Sequence, residues 1–375
     1  MSVFEKRCAR AQQLMAEKGI HFLFVGPGSD MRYLTNYSAM QLERLNLFIL
    51  PVEGKPSYIG PLFEMPRFEL SKTKTFFELL PWKEHEDPVD IVAKLADPAK
   101  KVVIALDDVH QARFYLSYRR KLPKAKFVST VPVIGEMRLH KDAIEIGYLT
   151  HLGKALDKVW EEALKLQYSG RKESEVGFEL QEIKRKIFAL AGEPTLELPR
   201  GPSKPTSGIN TSSAHGGGAD RVIQPSDAIY WEMGGGSCMG YAGDKTRSVQ
   251  VAPATEEYRK AYAVVKEAQQ TAFEAIRPGV TCESIDSVGR EVIERHGYGE
   301  YFTHRIGHGL GLDEHEPPYL VLGNKRKLEP GMVMSVEPGI YIPGKWGIRI
   351  EDIVYVTEDG AKSFYCSTKE FHEVK

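Results

Sequence analysis

Cysteine is scarce: Cys8, Cys238, Cys282 and Cys366 are the four in 375 residues. They lie far apart and none forms a Cys-x-x-Cys pair, which excludes a zinc knuckle or a thioredoxin-type motif. Scattered cysteines in so long a chain read as reduced cytosolic thiols and not as a disulfide framework, so a cytoplasmic location is expected. Long apolar runs are missing too. Stretches such as Phe22 to Val25 and Val102 to Leu106 have strand length, far below the roughly 20 residues needed to cross a bilayer. The opening segment, MSVFEKRCARAQQLMAEKGI, is charged and amphipathic and lacks the apolar stretch of a signal peptide. Nor is there an excess of either charge. Lys plus Arg is 50 and Asp plus Glu is 51, leaving −1. That balance removes the whole-chain electrostatic case for nucleic acid or an anionic membrane as partner.

What remains is an ordinary globular composition, 42% hydrophobic and 27% charged, without low-complexity tracts or internal repeats. At roughly 150 residues per domain, two domains are expected. The first third alternates helical and strand patterns. Residues 4–18 carry apolar groups at helical spacing, and His21 to Val25 reads as a buried strand ending at Gly26-Pro-Gly. Leu47 to Leu50, Val102 to Leu106 and Lys126 to Thr130 read as further strands, with a helix over Pro88 to Ala96. Short apolar strands between helices argue an α/β domain with a largely covered sheet. A boundary near Gly135 gives domains of 1–135 and 136–375. Beyond it, Ala143 to Leu166 and Ser174 to Ala191 predict helices, and Pro194 to Gly218 a loop. Strands at Ala228 to Trp231 and Arg247 to Val251 come next, then helices over Glu256 to Ile276 and Glu283 to Arg295. Strand-like runs at Met332 to Val336, Ile348 to Ile350 and Ile353 to Val356 complete an α+β domain with an antiparallel sheet.

Five acidic or imidazole residues stand out beside glycine or inside strand-like runs: Glu232, Asp244, His308, Glu337 and Glu351. An unpaired carboxylate buried in a strand costs on the order of several kcal/mol. Four carboxylates and one imidazole, if convergent, would repel one another unless cations sat between them. Oxygen-rich ligation with one nitrogen suits divalent Mn, Co, Fe or Zn. Two such ions about 4 Å apart activate a water and polarise a carbonyl. Taken singly, each residue has a plainer reading as a turn, a strand end or a structural histidine. Asp107-Asp108-Val-His110 reads as a loop at the end of a sheet.

The arrangement of the last 70 residues or so is more specific. His304-Arg-Ile-Gly-His-Gly-Leu-Gly311, His315-Glu-Pro-Pro318, Leu328-Glu-Pro-Gly-Met332, Val336-Glu-Pro-Gly-Ile-Tyr341 and Gly347-Ile-Arg-Ile-Glu-Asp352 resemble the pita-bread metallopeptidases. That family includes methionine aminopeptidase, aminopeptidase P and prolidase, and creatinase shares its fold without the metals. The resemblance implies an α/β N-terminal domain followed by an α+β pita-bread catalytic domain, as in the prolidase, aminopeptidase P and creatinase branch. It implies a hydrolase that cleaves Xaa-Pro bonds with a water bridging two divalent metals, acts on small peptides and forms a homodimer. Asp244, in Gly240 to Arg247, and Glu351 match the ligands that bridge both ions. His308 and Glu337 match those that hold one, and Glu337 also matches the proton shuttle. His215 matches a substrate-pocket histidine, His315 the residue that hydrogen-bonds the scissile region, and Arg349 a ligand-orienting group.

Two positions depart from the family pattern. Glu232 stands where the first metal-binding Asp belongs. The interval 244 − 232 = 12 is one residue longer than usual, an excess that Gly234-Gly-Gly236 can absorb as a bulge. One metal site is therefore expected to be the weaker. Tyr319 stands where some prolidases carry an arginine for the dipeptide carboxylate, and tyrosine cannot replace that charge. Two other functions fit the same scaffold: a creatinase-like hydrolase or lyase acting on a small metabolite, and a binding module without activity.

Overall fold

The protein is described here by a computed structural model covering residues 1–70, 75–199, 205–216 and 218–375. It divides into two compact units, Met1–Arg138 and Leu139–Lys375.

In the first unit the elements run α1 (Val3–Lys18), β1 (Phe22–Val25), α2 (Ser29–Thr35), β2 (Leu47–Pro51), β3 (Ser57–Pro61), α3 (Pro66–Leu70), β4 (Glu78–Trp82), α4 (Pro88–Ala96), β5 (Val103–Leu106), α5 (Ala112–Lys121) and β6 (Lys126–Ser129). The start of α1 is fixed by a capping box. The Ser2 side chain accepts from Glu5 N while the Glu5 carboxylate accepts from Ser2 N, so two otherwise orphaned amides are satisfied. The six strands lie in the order β4-β3-β2-β1-β5-β6, with β1 parallel to β5 and antiparallel to β2. One face of this sheet (Phe24, Leu47, Ile49, Ile104) packs on Val89 and Val92 of α4, on Tyr118 of α5 and on Leu122 just after it. At the end of β5, Asp107 accepts from Gly26 N at 2.7 Å and from His110 Nδ1 at 2.9 Å. The Asp107–His110 stretch thus closes a loop, in line with its sequence.

The second unit begins within the single-turn α6 (Glu136–Leu139), followed by α7 (Ala143–Ala163) and α8 (Glu173–Leu190). Next come β7 (Leu196–Glu197), β8 (Thr206–Ser207), β9 (Ala228–Glu232), β10 (Ser237–Cys238), β11 (Tyr241–Ala242) and β12 (Thr246–Val251). The helices α9 (Glu256–Ala275) and α10 (Cys282–Arg295) lead to β13 (Gly307–Gly309), β14 (Glu316–Leu320), β15 (Val333–Val336), β16 (Gly339–Ile342), β17 (Trp346–Arg349), β18 (Asp352–Val356), β19 (Ala361–Ser363) and β20 (Glu373–Val374). The predicted loop at 194–218 is corrected in part, since it carries β7, β8 and a 3-10 turn at Gly208–Ser212. Its residues 200–204 and 217 lie outside the described part.

Two sheets matter for the chemistry: β20-β12-β9-β8 and β14-β13-β15-β18-β19. They are tied where Glu351 N, just before β18, donates to Thr246 O at 3.0 Å, and the first is tied to β17 of the separate β16-β17 pair where Ser248 Oγ bonds both Arg349 N and Arg349 O. Behind them α9 and α10 supply Tyr258, Val265, Ala268, Ile285 and Val292 to a buried cluster with Ile306, Met334, Ile348 and Val354. Apolar residues at helical spacing on both helices bury one stripe each, which fixes the platform under the polar groups. Gly289 of α10 sits so close to α9 that a methyl there would strike Ile306 and crowd Ala272.

Candidate metal centre

Antiparallel register decides which side chains meet. On β9 and β12, Glu232 faces Thr246. Residues opposite one another share a face, and so do residues two apart along a strand. Glu232, Thr246 and Asp244 therefore point the same way. Lys245 and Arg247 point to the other side, where Lys245 Nζ meets Asp157 Oδ1 at 2.6 Å and Arg247 Nη2 meets Asp352 Oδ1 at 2.7 Å. Those two buried pairs, together with the Tyr365 hydroxyl donating to Asp244 O, hold the segment leading into β12, which carries Asp244, from behind.

On the other sheet, His308 lies between two glycines for a steric reason. A methyl on Gly307 would collide with the Ser335 carbonyl, and one on Gly309 with the carbonyls of Glu316 and Pro317. Neighbouring strands close in on both sides of His308, and only glycine allows it. His308 N donates to Ser335 Oγ at 2.9 Å, and Ser335 Oγ donates to Glu337 Oε1 at 3.0 Å. His308 Nδ1 lies 3.0 Å from Gly309 O. A carbonyl can only accept, so Nδ1 carries a proton, and Nε2 faces the carboxylates. Nε2 is 3.1 Å from Glu337 Oε1 and 3.9 Å from Asp244 Oδ2.

Asp244, His308 and Glu351 are all buried, and each offers a ligand atom within 4.8 Å of the others'. Glu351 Oε2 accepts from Thr246 Oγ1 at 2.7 Å, whereas Oε1 is buried without a hydrogen-bond partner among the described residues. Burial, and then the charges of Glu351, Glu232 and Glu337, hold the Asp244 carboxyl well above the usual carboxylate range. Burial and the Glu337 charge push Glu351 up to about 8. Burial alone would raise Glu337 as well, but its hydrogen bond to His308 and the nearby positive charges bring it down to about 2. Mutually repelling buried carboxylates, an orphaned oxygen and an imidazole nitrogen turned inward form a donor set that fits a divalent cation.

Arg349 links the remaining residues. Its Nη2 donates to Glu232 Oε2 at 2.9 Å, its Nε to Thr246 Oγ1 at 3.0 Å and its Nη1 to Ala214 O at 2.6 Å. Glu232 is thus on the site's face, yet it is paired with Arg349, its side chain is 53% exposed, and it stands outside the group of three. The His315 ring is 4.1 Å from that of His308, nearly perpendicular to it. His215 is exposed, next to the Ala214 carbonyl that Arg349 binds. Thr246, Ser335 and Tyr341 went unnoticed in the sequence. The first two had a signal, since each lies two residues from an acidic candidate in a strand. Tyr341 had none: its hydroxyl meets His304 Nε2 at 3.1 Å only through folding.

Residues 148–358 match the pattern of metallopeptidase family M24, and residues 7–140 match the creatinase/prolidase N-terminal domain. The chain belongs to metallopeptidase family M24. Its two-domain pita-bread architecture and its class, a peptide hydrolase, follow from that membership. An Xaa-Pro dipeptidase of Lactobacillus helveticus is 31% identical over 370 residues, covering 96% of this chain and 97% of the relative. A prolidase of Thermococcus sibiricus has a similar structure, with a TM-score of 0.89, 33% identity and 99% of each chain covered. Dipeptidase PepE of Mycobacterium ulcerans matches with a TM-score of 0.90 and 33% identity over 99% of this chain and 98% of its own. Among the described residues of this M24 member, no helix is long and apolar enough to cross a membrane, and all four cysteines are free.

Proposed function

We propose that this M24 peptidase hydrolyses Xaa-Pro bonds in dipeptides, using divalent ions held by Asp244, His308, Glu337 and Glu351, with Glu232 contributing at the edge. The observation that carries the reading is the buried convergence of Asp244, His308 and Glu351, with Glu337 hydrogen-bonded to His308. Divalent ions bound there would lower the pKa of a water and polarise the scissile carbonyl. The chain's own residues do the rest. Glu337, oriented by Ser335, is placed to accept and donate the reaction's protons. His315, edge-on against the His308 ring, is suited to hydrogen-bond the scissile region. Arg349 fixes Glu232 and, through Ala214 O, the loop that bears His215. The relatives named Xaa-Pro dipeptidase and prolidase support the same bond specificity. The first unit, none of whose described residues joins this donor set, is assigned to self-association in a homodimer, and the free thiols agree with a cytoplasmic setting.

The test is a substrate panel with metal-loaded protein: Xaa-Pro dipeptides, Xaa-Pro-Yaa peptides and creatine. Turnover of the dipeptides, abolished by chelator, is expected. Turnover of creatine alone would establish the creatinase-like alternative instead.

A further inference from the structure

The imidazole of His315 is exposed, and among the described residues it makes no hydrogen bond. It rests edge-on against the buried ring of His308. It ends the connection from Leu310 to His315 between β13 and β14. A surface connection of this kind lets a ring wander unless its backbone is fixed.

The next residue does the fixing. Glu316 is buried, and its carboxylate is shared between two donors. Oε1 accepts from Lys141 Nζ at 2.6 Å, and Oε2 accepts from Asp313 N at 3.3 Å. The Lys141 and Glu316 side chains are 1% and 6% exposed. The carboxylate therefore ties the middle of the connection to its end. Gly311 leaves room for it, since a methyl there would strike Glu316 Oε1 and crowd Lys141 Cε. The lysine is itself anchored. Lys141 N donates to Gly331 O at 2.8 Å, and His140 bridges to Met332, just before β15. β15 also carries Ser335, whose hydroxyl holds His308 N. Both histidines are thus referred to one strand, His308 directly and His315 through Lys141 and Glu316.

A buried ion pair adds little net stability over an apolar pair of similar volume, because desolvation offsets the attraction. What it adds here is direction, since a charge-assisted hydrogen bond fixes the carboxylate in one place. We propose that Lys141 is a positioning residue for the peptidase reaction: through Glu316 it holds the Leu310 to His315 connection so that the His315 ring stays against His308, beside the scissile bond. This deepens the Xaa-Pro reading and rests on it for the role of His315, though not for the hold on its ring.

The experiment removes the pair without leaving a lone buried charge. Lys141→Met/Glu316→Leu is compared with wild type, with His315→Ala and with the triple variant, all metal-loaded. The double variant should stay folded by circular dichroism and keep the wild-type metal content, because neither residue belongs to the converging group. Its kcat for Ala-Pro should fall about tenfold or more, as misplacing a reacting group can cost about 100-fold. In the His315→Ala background the same two substitutions should change kcat by less than about twofold, since residues that act through one another are not additive. In carbon-13 histidine spectra, the His315 signals, assigned by their loss in His315→Ala, should lose the shift imposed by the His308 ring. Glu316→Gln keeps the shape and leaves one of the two donors without an acceptor. It should move kcat and the ring signals the same way by a smaller amount, and it decides the matter if the apolar pair does not fold. Wild-type kcat in the double variant, or a loss as large in the His315→Ala background, marks a merely structural pair and overturns the proposal. Failure of the Xaa-Pro reading would appear separately, as no turnover of Ala-Pro by wild type. The ring signals would still decide the hold on His315, and unchanged signals would overturn it.

Discussion

The two oxygens of Glu351 differ: Oε2 is held by Thr246, and Oε1 is buried without a partner among the described residues. Thr246 also accepts from Arg349 Nε, so one hydroxyl orients both a ligand and the arginine that pins Glu232. Hydrogen-bonding partners of metal ligands typically contribute about 10–100-fold in affinity or activity. Thr246→Val keeps the shape and removes the hydroxyl. It should weaken divalent-metal binding about tenfold by calorimetry, and unchanged affinity would remove Thr246 from the account. Lys184 of α8 works at longer range. Its ammonium is buried and donates to Met233 O and Gly234 O, each at 3.0 Å, which fixes the backbone just after Glu232. Burial lowers its pKa to about 8. The unfolded chain then binds more protons than the folded one between about pH 8 and the ordinary lysine value of about 10.4. Below pH 8 the full cost of burying the charge is present, and it is relieved as pH rises through that window. Wild type should therefore gain roughly 3 kcal/mol over Lys184→Met between pH 8 and 10.4 in denaturant unfolding. A pH-independent difference between the two proteins would contradict this.

Strands and helices were legible in proportion to how cleanly their patterns were punctuated. The helix over Pro88 to Ala96 has an Asp87 cap, a first-turn proline and an apolar stripe, and α4 spans those residues. The capped α7 and the pair α9 and α10 likewise fall where their periodicity indicates. Elements that contain their own breakers were missed. β3 includes Gly60 and Pro61, and the edge strand β4 includes Pro81, tolerated because an edge strand has one unpaired side. α2 has seven residues, and α5 buries only Tyr118 beneath a row of cationic residues. At the site, Asp244, His308, Glu337 and Glu351 were marked out by carboxylates and imidazole in strand-like runs. The Arg349–Glu232 pair and the Arg305–Tyr319 stack were not, because each joins residues that only the tertiary fold brings together. The glycines around His308 offer a test at this scale. Gly307→Ala forces a methyl into the Ser335 carbonyl, so the strands must part. Overpacking of this kind typically costs about 1–3 kcal/mol, and here backbone must yield. The variant should melt several degrees lower and lose metal affinity, and wild-type melting would show that the close approach is not required.

For the molecule as a whole, the division of labour is the main expectation. The carboxylates and imidazoles that converge lie in Leu139–Lys375, while Met1–Arg138 is a separate α/β unit with its own core. None of the described residues of Met1–Arg138 joins the group that converges, and this unit is expected to serve assembly, so light scattering at micromolar concentration should give the mass of a dimer, and a monomer would remove that role. The central claim is that the buried carboxylates of the second unit exist to hold divalent metal. It is tested most directly by stripping the purified protein with chelator, reloading it with manganese, removing free ion and measuring bound metal by mass spectrometry, with Asp244→Ala alongside. Wild type should retain up to two ions per chain and Asp244→Ala none, both remaining folded by circular dichroism. A wild type that takes up no metal, or an Asp244→Ala variant that retains as much as wild type, would contradict the account.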